Sequence, residues 1–422
     1  MENKKEGNDW SRRDFVSMLG GASLAGCIPF AWPEMAKAEQ EDSFPAKNMF
    51  AIKGTFVNAA YTHPMSLGSY QEIGKFLNTR MLNRQEPVGY DAFERSSVAA
   101  DFARLINADK EEIAWIPSTM VGENLIVSGL GLSGSKEHVV TDALHFHGSL
   151  HLYGQLEKQG LKLTVVKPRN NRIDLNDLDA AITPGTKLVA ISLVSATTGF
   201  QHDLKKVCEL AHSRGALVYA DIIQAAGAIP INVKDSQVDF CACSTYKWLM
   251  GDFGVGFLYV RKDVLPLIKR TLIGYRQIKS YTSHFLPFDP AGNSVFESSS
   301  TDDMSGHFEV GTFANEGIAA VRYSLDFLNR TGVDKVYQYR KPMIDRLQQE
   351  LASDKRYIPL TPVDAVSPIV SFACKDAANL IKPKLDAADI NISVYDDMIR
   401  ISPSFYNDMG DIDRLLSVLK SV

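Results

Sequence analysis

The chain is poor in the features that mark several special classes of protein. Its 422 residues include only five cysteines, and their spacing gives no disulfide framework. The formal net charge of −5 offers no electrostatic basis for nucleic-acid binding. The uncharged stretch at residues 16–32 is short and weakly apolar for a permanent membrane span. With no internal repeat either, the chain is expected to bury a large core in two globular domains.

The N-terminus carries a signal rather than part of the fold. The sequence Ser-Arg-Arg-Asp-Phe at residues 11–15 precedes the uncharged stretch and resembles a twin-arginine export signal. The alternative is a chance arginine pair on a disordered tail. Leu-Ala-Gly-Cys at residues 24–27 also resembles a lipobox, so Cys27 is either lipidated or removed with the signal. We expect the twin-arginine machinery to export the protein to the periplasm, with Cys27 as a candidate lipid anchor.

After this signal, short apolar segments alternate with amphipathic ones. Residues 1–32 are assigned to the signal, 33–49 to a polar linker, 50–305 to a large domain and 306–422 to a small domain. A helix is predicted over His202–Arg214, and residues 280–305 are expected to form a long loop. Strand–helix alternation favours a parallel α/β sheet, which binds ligands at the carboxyl ends of its strands. The predicted strands are Glu112–Pro117, His138–Thr141, Lys162–Val166, Lys187–Val194, Ala216–Asp221, Asp239–Cys243 and Gly254–Val260.

Lys247 stands in surroundings that suit one cofactor. A predicted strand ends at Asp221, Gln224 follows, and Ser-Thr-Tyr-Lys occupies residues 244–247. Pyridoxal phosphate (PLP) requires an amine to hold it as a Schiff base and a carboxylate to keep its ring nitrogen protonated. The simpler alternatives are a surface lysine and an aspartate that caps a helix. The combination favours an enzyme that acts on an amino compound.

These residues, in this order, resemble the class V aminotransferase family of fold type I PLP enzymes. That family includes cysteine desulfurases, isopenicillin N epimerase-like and kynureninase-like proteins. The resemblance runs from about residue 50 to 420. It implies an α/β large domain with a mostly parallel seven-stranded sheet, followed by a smaller C-terminal α+β domain. It also implies PLP as the cofactor and a small amino compound as the substrate.

Around the cofactor, the resemblance implies a role for each motif residue. Lys247 forms the Schiff base, Asp221 pairs with the ring nitrogen, and Gln224 donates to the phenolic oxygen. Ser244 and Tyr246 reach the phosphate, although relatives often have His where Tyr246 stands.

His145 follows a predicted strand at the position where relatives stack an aromatic ring or His on the cofactor. His147 and His151 lie nearby, so a histidine metal site is the alternative. No acidic or cysteine partner has suitable spacing, and no metal is expected.

The phosphate and substrate contacts are implied by three further segments. Residues 118–124 resemble the family's phosphate turn, where Thr119 and Met120 open a helix, and Met120 stands where a second Thr is frequent. Gly311 and Thr312 lie in a Glu-x-Gly-Thr segment that in relatives reaches the phosphate of the partner subunit, which implies a homodimer with shared sites. Arg400 would grip a substrate carboxylate, and Asn58 would line the substrate pocket. For Arg400 the alternative is a surface ion pair.

Two departures from the family bear on the reaction. Cysteine desulfurases carry a nucleophilic Cys on a loop before the Arg400 position, but residues 379–400 contain none. Cys374 lies in an apolar run expected to be a strand, where burial raises a thiol pKa. Relatives also often have Asn at the position of Ala196, contacting the phenolic oxygen, and Ala has no donor.

Transamination or epimerisation of an amino acid, with Lys247 removing the Cα proton, is therefore the expected activity. The alternative within enzymes is a cysteine desulfurase or other carbon–sulfur lyase, which the missing loop Cys disfavours. A non-catalytic exported binding protein on the same scaffold is the alternative of another class.

Overall fold

The computed structural model describes residues 43–82 and 92–422. The predicted export signal and Cys27 lie outside the described residues. No helix in the described part of the chain is long and apolar enough to cross a membrane. In chain order the strands are β1 Thr55–Phe56, β2 Ile113–Ile116, β3 His138–Asp142, β4 Lys162–Val166, β5 Thr186–Ser192, β6 Leu217–Asp221, β7 Phe240–Ser244, β8 Gly256–Val260, β9 Ile278–Ser283, β10 Phe296–Ser300, β11 Ile358–Pro359, β12 Val370–Ala373, β13 Ile390–Asn391, β14 Ser393–Tyr395 and β15 Met398–Ile401.

The helices lie between and after these strands. They are α1 Leu67–Met81, α2 Ala92–Ile106, α3 Thr119–Gly129, α4 His147–Lys158, α5 Leu175–Ala181, α6 Leu204–His212, α7 Val233–Ser236, α8 Met304–Phe308, α9 Asn315–Thr331, α10 Val333–Ala352, α11 Ala377–Leu380, α12 Lys382–Ala387 and α13 Met409–Lys420.

The central sheet has seven strands in the order β2-β8-β7-β6-β5-β3-β4. The pairs from β7 through β4 are parallel, and β8 runs antiparallel to both of its neighbours. The strands β5 to β8 are almost wholly buried because helices cover both faces, as continuous apolar runs require. The expected mostly parallel seven-stranded sheet is confirmed, and each predicted strand agrees with an observed one to within two residues.

Helix α6 shows how local chemistry sets an element's bounds. The Asp203 side chain accepts a hydrogen bond from the Lys206 amide and starts the helix at Leu204. Val207 and Ala211 face the core, and the chain leaves the helix through Gly215, whose φ is +77°. The helix predicted over His202–Arg214 is therefore present but shorter by two residues at each end.

A second sheet of four antiparallel strands, β11-β12-β15-β14, forms near the C-terminus. It packs with α10 and α13 around a separate apolar cluster. The N-terminal segment joins this region, since β1 pairs in parallel with β13 and Asn58 bridges Ser402. The same segment then reaches the turn after β7, where the His63 amide donates to the Tyr246 carbonyl at 3.1 Å.

The segment expected to be a long loop contains a hairpin instead. Strands β9 and β10 pair antiparallel, and the rings of Tyr281 and Phe296 stack with centroids 5.6 Å apart. Serine-rich strands with turn residues between them lack the apolar alternation that predicts a strand, so cross-strand pairing decides their form.

Candidate active site

Four strands deliver polar residues to one edge of the central sheet. Strands β3, β5, β6 and β7 end at Asp142, Ser192, Asp221 and Ser244. Because these strands are parallel neighbours, their carboxyl ends lie side by side. The buried acid and the lysine segment predicted from the sequence therefore meet at this edge.

Asp221 is fixed at the end of β6 with 4% of its surface exposed. Its Oδ1 accepts a hydrogen bond of 2.9 Å from the Ile223 amide. Burial raises the pKa of Asp221 to about 6, while that hydrogen bond and the charges of His145 and Lys247 act against the rise. A buried carboxylate without a cationic hydrogen-bond partner is suited to pair with a protonated ring nitrogen.

Lys247 follows β7 in a turn and is 8% exposed. Burial lowers the pKa of Lys247 to about 8, with Asp221 acting to raise it and Arg400 to lower it further. Its Nζ lies 5.9 Å from the Tyr246 ring centroid, and among the described residues it has no carboxylate within ion-pair distance. An amine in this state is partly neutral near physiological pH and can act as a nucleophile or base.

Gln224 is held on two sides. Its Nε2 donates to the Ala60 carbonyl at 3.0 Å, and its Oε1 accepts from Trp248 Nε1 at 3.0 Å. One N–H of the amide remains for the cofactor, which is compatible with the predicted donation to the phenolic oxygen.

His145 lies deeper than its predicted stacking role would suggest. Its side chain is 0% exposed, with Nδ1 2.8 Å from Ser192 Oγ and Nε2 3.2 Å from Glu123 Oε1. Burial works to lower the pKa of His145, but the carboxylates of Glu123, Asp221 and Asp142 together raise it. Phe146, the next residue, is half-buried. The stacking role of His145 stays a prediction, and sequence reasoning missed Glu123 as its ion-pair partner.

The turn before α3 is tied to the end of β7. The Thr119 amide donates to Ser244 Oγ at 2.8 Å, and the Ser244 amide donates to Thr119 Oγ1 at 2.9 Å. The Val121 amide is capped by Ser118. In the described part of the chain the Met120 amide has no hydrogen-bond acceptor. It belongs to the first turn of the helix, at the positive end of the helix dipole. This free amide is suited to a phosphate oxygen, while Ser244 serves first to place the turn.

Tyr246, the residue before Lys247, borders a cavity of about 720 Å³. Its ring stacks on Phe253 with centroids 4.7 Å apart, and burial raises its pKa. Asn58 and Tyr61 also line this cavity and a neighbouring one of about 440 Å³. The predicted phosphate contact of Tyr246 stays a prediction.

Arg400 on β15 points back to the large sheet. Its Nη1 donates to the Ala196 carbonyl at 2.7 Å and its Nη2 to Ser393 Oγ at 3.0 Å. The buried Nε has no protein partner. Ser393 in turn donates to Asn58, whose Nδ2 donates to Asn391. The predicted substrate residues Arg400 and Asn58 thus belong to one network, held partly by the backbone of the residue that departs from the family.

Gly311 and Thr312 lie in a different place. Thr312 is exposed, with Oγ1 3.3 Å from the Tyr275 hydroxyl, and the Gly311 carbonyl accepts from Arg276 at 2.5 Å. Neither residue hydrogen-bonds to the groups around Lys247 within the described ranges. This placement is compatible with the implied contact across a dimer, which stays a prediction.

Cysteine and histidine clusters offer no further centre in the described residues. Cys208, Cys241, Cys243 and Cys374 are all buried, and burial raises the pKa of the Cys374 thiol. His147 and His151 are exposed, whereas His145 is buried, so the three do not converge. Over residues 43–82 and 92–422, no group of three or more candidate ligands could hold a metal ion.

The polar groups at this sheet edge fit the functional groups of PLP and of an amino-acid substrate. A buried acid without a cationic partner, a buried amine, a free helix amide and an orphaned guanidinium Nε lie around the same sheet edge. Each matches one group that the cofactor or an amino-acid substrate would bring: ring nitrogen, aldehyde, phosphate and carboxylate.

Comparison with known proteins agrees with this geometry. Residues 92–415 match the model of the family described as Aminotransferase class-V. An uncharacterized aminotransferase, YcbU of Bacillus subtilis, is 26% identical over 86% of this chain and 92% of its own length. The cysteine desulfurase IscS of Shewanella baltica is 34% identical over 49% of this chain and 52% of its own.

Solved structures share the fold. The cysteine desulfurase CsdA of Escherichia coli has a TM-score of 0.76 at 19% identity, covering 89% of this chain and 98% of its own. The cystine C–S lyase C-DES, solved with its product cysteine persulfide, has a TM-score of 0.76 at 21% identity, covering 87% and 97%. A C-DES variant carries glycine covalently linked to the PLP cofactor. The chain therefore belongs to the class V aminotransferase family and is a PLP-dependent enzyme of fold type I.

Proposed function

We propose that this enzyme cleaves the carbon–sulfur bond of a sulfur-containing amino acid. The sulfur then leaves as part of a small-molecule product rather than on a cysteine of the enzyme. The observation that carries the proposal is the burial of all four cysteines in the described part of the chain, beside relatives named as desulfurases and a C–S lyase. Transfer of sulfur to a protein thiol requires an accessible, acidic thiol at the substrate. Elimination requires no protein thiol. It is therefore compatible both with the carbon–sulfur chemistry named for the relatives and with the buried cysteines of this chain.

The residues divide the work of an elimination. Arg400 holds the α-carboxylate through its orphaned Nε and an adjacent N–H. Lys247, a base with a depressed pKa, would remove the Cα proton. When bound, PLP supplies the electron sink that makes this C–H bond acidic. As the Cα–Cβ double bond forms, the Cβ–S bond breaks and its electron pair leaves on sulfur. The released enamine takes up water and gives a 2-oxo acid and ammonium.

We propose that the cavity bordered by Tyr246 and Asn58 receives the substrate side chain, and its size favours a side chain longer than that of cysteine. The cavity holds about 720 Å³ and has apolar walls from Ile52, Phe56 and Phe253 with polar groups at Asn58. Volumes of this order accommodate ligands much larger than a three-carbon amino acid. We therefore propose a disulfide or thioether amino acid, of which cystine is the simplest probe. With cystine the leaving group is the persulfide of cysteine.

Transamination is the second candidate. YcbU, named as an aminotransferase, aligns over most of both chains, whereas the desulfurase IscS aligns over about half. Lys247, Asp221 and Arg400 serve both reactions, because both begin with removal of the Cα proton.

One incubation distinguishes the reactions. Purified enzyme is mixed with L-cystine, L-cysteine, S-methyl-L-cysteine or L-alanine, with and without an added 2-oxo acid, in deuterated buffer. Elimination yields a 2-oxo acid and released sulfur from the sulfur substrates alone. Transamination yields a new amino acid only when the acceptor is present, and epimerisation yields deuterium at Cα with inversion. Acceptor-dependent turnover of alanine, with no sulfur released from any of the sulfur-containing substrates, would overturn the proposal. The Lys247→Ala protein is the control, and full turnover by it would favour a function without PLP catalysis.

A further inference from the structure

Trp248, the residue after Lys247, and Gln224 form a buried hydrogen-bonded pair. Both side chains are 2% exposed, and the indole Nε1–H donates to Gln224 Oε1 at 3.0 Å. On the other side, Gln224 Nε2 donates to the Ala60 carbonyl at 3.0 Å. Trp248 is a donor only and a backbone carbonyl is an acceptor only. These two neighbours therefore allow a single orientation of the Gln224 amide.

We propose that Trp248 is a positioning residue that, with the Ala60 carbonyl, compels Gln224 to present an N–H, never its carbonyl oxygen, to the cofactor's phenolic oxygen. In the reversed orientation the amide would place N–H against N–H and oxygen against oxygen, and both buried hydrogen bonds would be lost. The inference rests on the PLP assignment and on Gln224's implied contact, but not on which reaction follows.

The indole is itself held rigidly. The Arg340 guanidinium, buried to 1% exposure, lies 5.4 Å from the ring centroid of Trp248 and donates to the Ala228 carbonyl at 2.7 Å. On another side the His63 ring meets the indole edge-on at 6.3 Å. Gly227, with φ of +86°, lets the Trp248 backbone approach so closely that a Cβ would lie 2.5 Å from its carbonyl oxygen. Rotation of the indole away from Gln224 is therefore opposed on every side described.

This orientation matters more here than in relatives with a second donor. Ala196 has no side-chain donor, and its carbonyl already accepts from Arg400. Donation to the phenolic oxygen from this part of the site therefore falls to Gln224. A donor at that oxygen disperses its negative charge and weakens its hold on a proton at the Lys247 nitrogen. Loss of the donor, or its replacement by a carbonyl oxygen, strengthens that hold and raises the pKa of the nitrogen.

The test is a titration of the visible absorbance of PLP-loaded enzyme against pH, which reports the pKa of the Lys247 nitrogen without turnover. Trp248→Phe keeps a ring against Arg340 but removes the N–H. We expect it to raise the pKa by about one unit, a tenfold change in the protonation equilibrium. Gln224→Ala should raise it by a similar amount, and the double variant should show no further rise. Trp115→Phe, a buried tryptophan in β2, is the matched control and should titrate like wild type.

The double variant separates positioning from a general structural effect. If Trp248→Phe titrates like wild type, or if its shift adds to that of Gln224→Ala, the proposal is overturned. Should Trp248→Phe fail to load PLP, Trp248→His, which retains a ring N–H, decides instead: a pKa near that of wild type supports the proposal and a raised pKa overturns it. The groups acting on Lys247 by charge are Asp221, Arg400 and Cys243, and they are unchanged in all of these variants.

Discussion

Arg400 and Asp221 are charged residues placed where burial makes each charge costly in the absence of its ligand. Arg400 keeps two hydrogen bonds to protein oxygens but leaves Nε unpaired, and Asp221 has only a backbone donor. An unpaired buried polar group disfavours the empty site and favours a ligand that satisfies it. The two residues therefore yield measurable predictions about substrate and pH.

Arg400→Lys is expected to weaken binding of amino-acid substrates by about ten- to a hundredfold. The reason is that an ammonium group replaces a planar guanidinium that can donate two hydrogen bonds to one carboxylate. The measurement is a spectral titration of the PLP-loaded enzyme with L-cystine. Cystamine, the analogue of cystine without carboxylates, should bind the variant and wild type alike. Equal losses for both ligands would instead indicate that Arg400 acts only through Ala196 and Ser393.

The stability of cofactor-free protein should fall as pH rises through the titration of Asp221. Its folded pKa of about 6 lies above the usual 3.8, so its contribution is full below pH 3.8 and is lost as pH passes 6. The loss at this one group is on the order of 3 kcal/mol. Urea unfolding at pH 4 and pH 7 should show this extra decrease in wild type but not in Asp221→Asn. Parallel pH profiles for the two proteins would contradict it.

At the scale of elements, the site depends on how α3 is joined to β7. The reciprocal bonds between Thr119 and Ser244 place the helix N-terminus beside the lysine turn. The helix then offers its free amide at Met120, whatever the side chain, which explains how the position tolerates a departure from the family.

Ser244→Ala should therefore weaken both the fold and cofactor retention. It leaves the buried Thr119 amide without an acceptor, at a cost of about 1–3 kcal/mol in unfolding free energy. Urea unfolding and the rate of PLP loss on dialysis measure the two effects. Ser118→Ala, which removes a cap from the same helix, is the control, and it should lower stability by about 1 kcal/mol. Faster PLP loss in Ser244→Ala than in Ser118→Ala is expected, and equal rates would contradict the argument.

At the scale of the whole molecule, the segment with Gly311 and Thr312 hydrogen-bonds to Tyr275 and Arg276 and, within the described residues, not to the groups around Lys247. We propose a homodimer in which this segment completes the partner's phosphate site, as the family resemblance implies. Thr312→Asp would bring a negative charge to that phosphate and should abolish activity, as should Lys247→Ala. Mixed dimers of the two variants contain one intact site, so remixing should restore about a quarter of wild-type activity. No recovery, with dimers present by sedimentation, would contradict shared sites.

Export is the second prediction at this scale, and it concerns residues outside the described part of the chain. We propose that the Arg12–Arg13 pair directs the folded protein to the twin-arginine route. Replacing both with Lys should leave the enzyme in the cytoplasmic fraction, whereas Cys27→Ser should still be exported. Incorporation of labelled fatty acid in wild type but not in Cys27→Ser would establish a lipid anchor.

The sequence by itself indicated the cofactor, the positions of the central-sheet strands along the chain and the residues at their ends. Those properties follow from local spacing: an apolar run ends, and the next polar residues must lie at the edge of a parallel sheet. Only the tertiary structure decided which hydrogen-bond or ion-pair partner each polar atom has. Residues far apart in the chain supply the partners, as when Ala60 and Trp248 orient Gln224, Glu123 pairs with His145, and Ala196 and Ser393 hold Arg400. Spacing along a chain carries no information about such pairs, because they form when distant segments pack and bury their polar groups together.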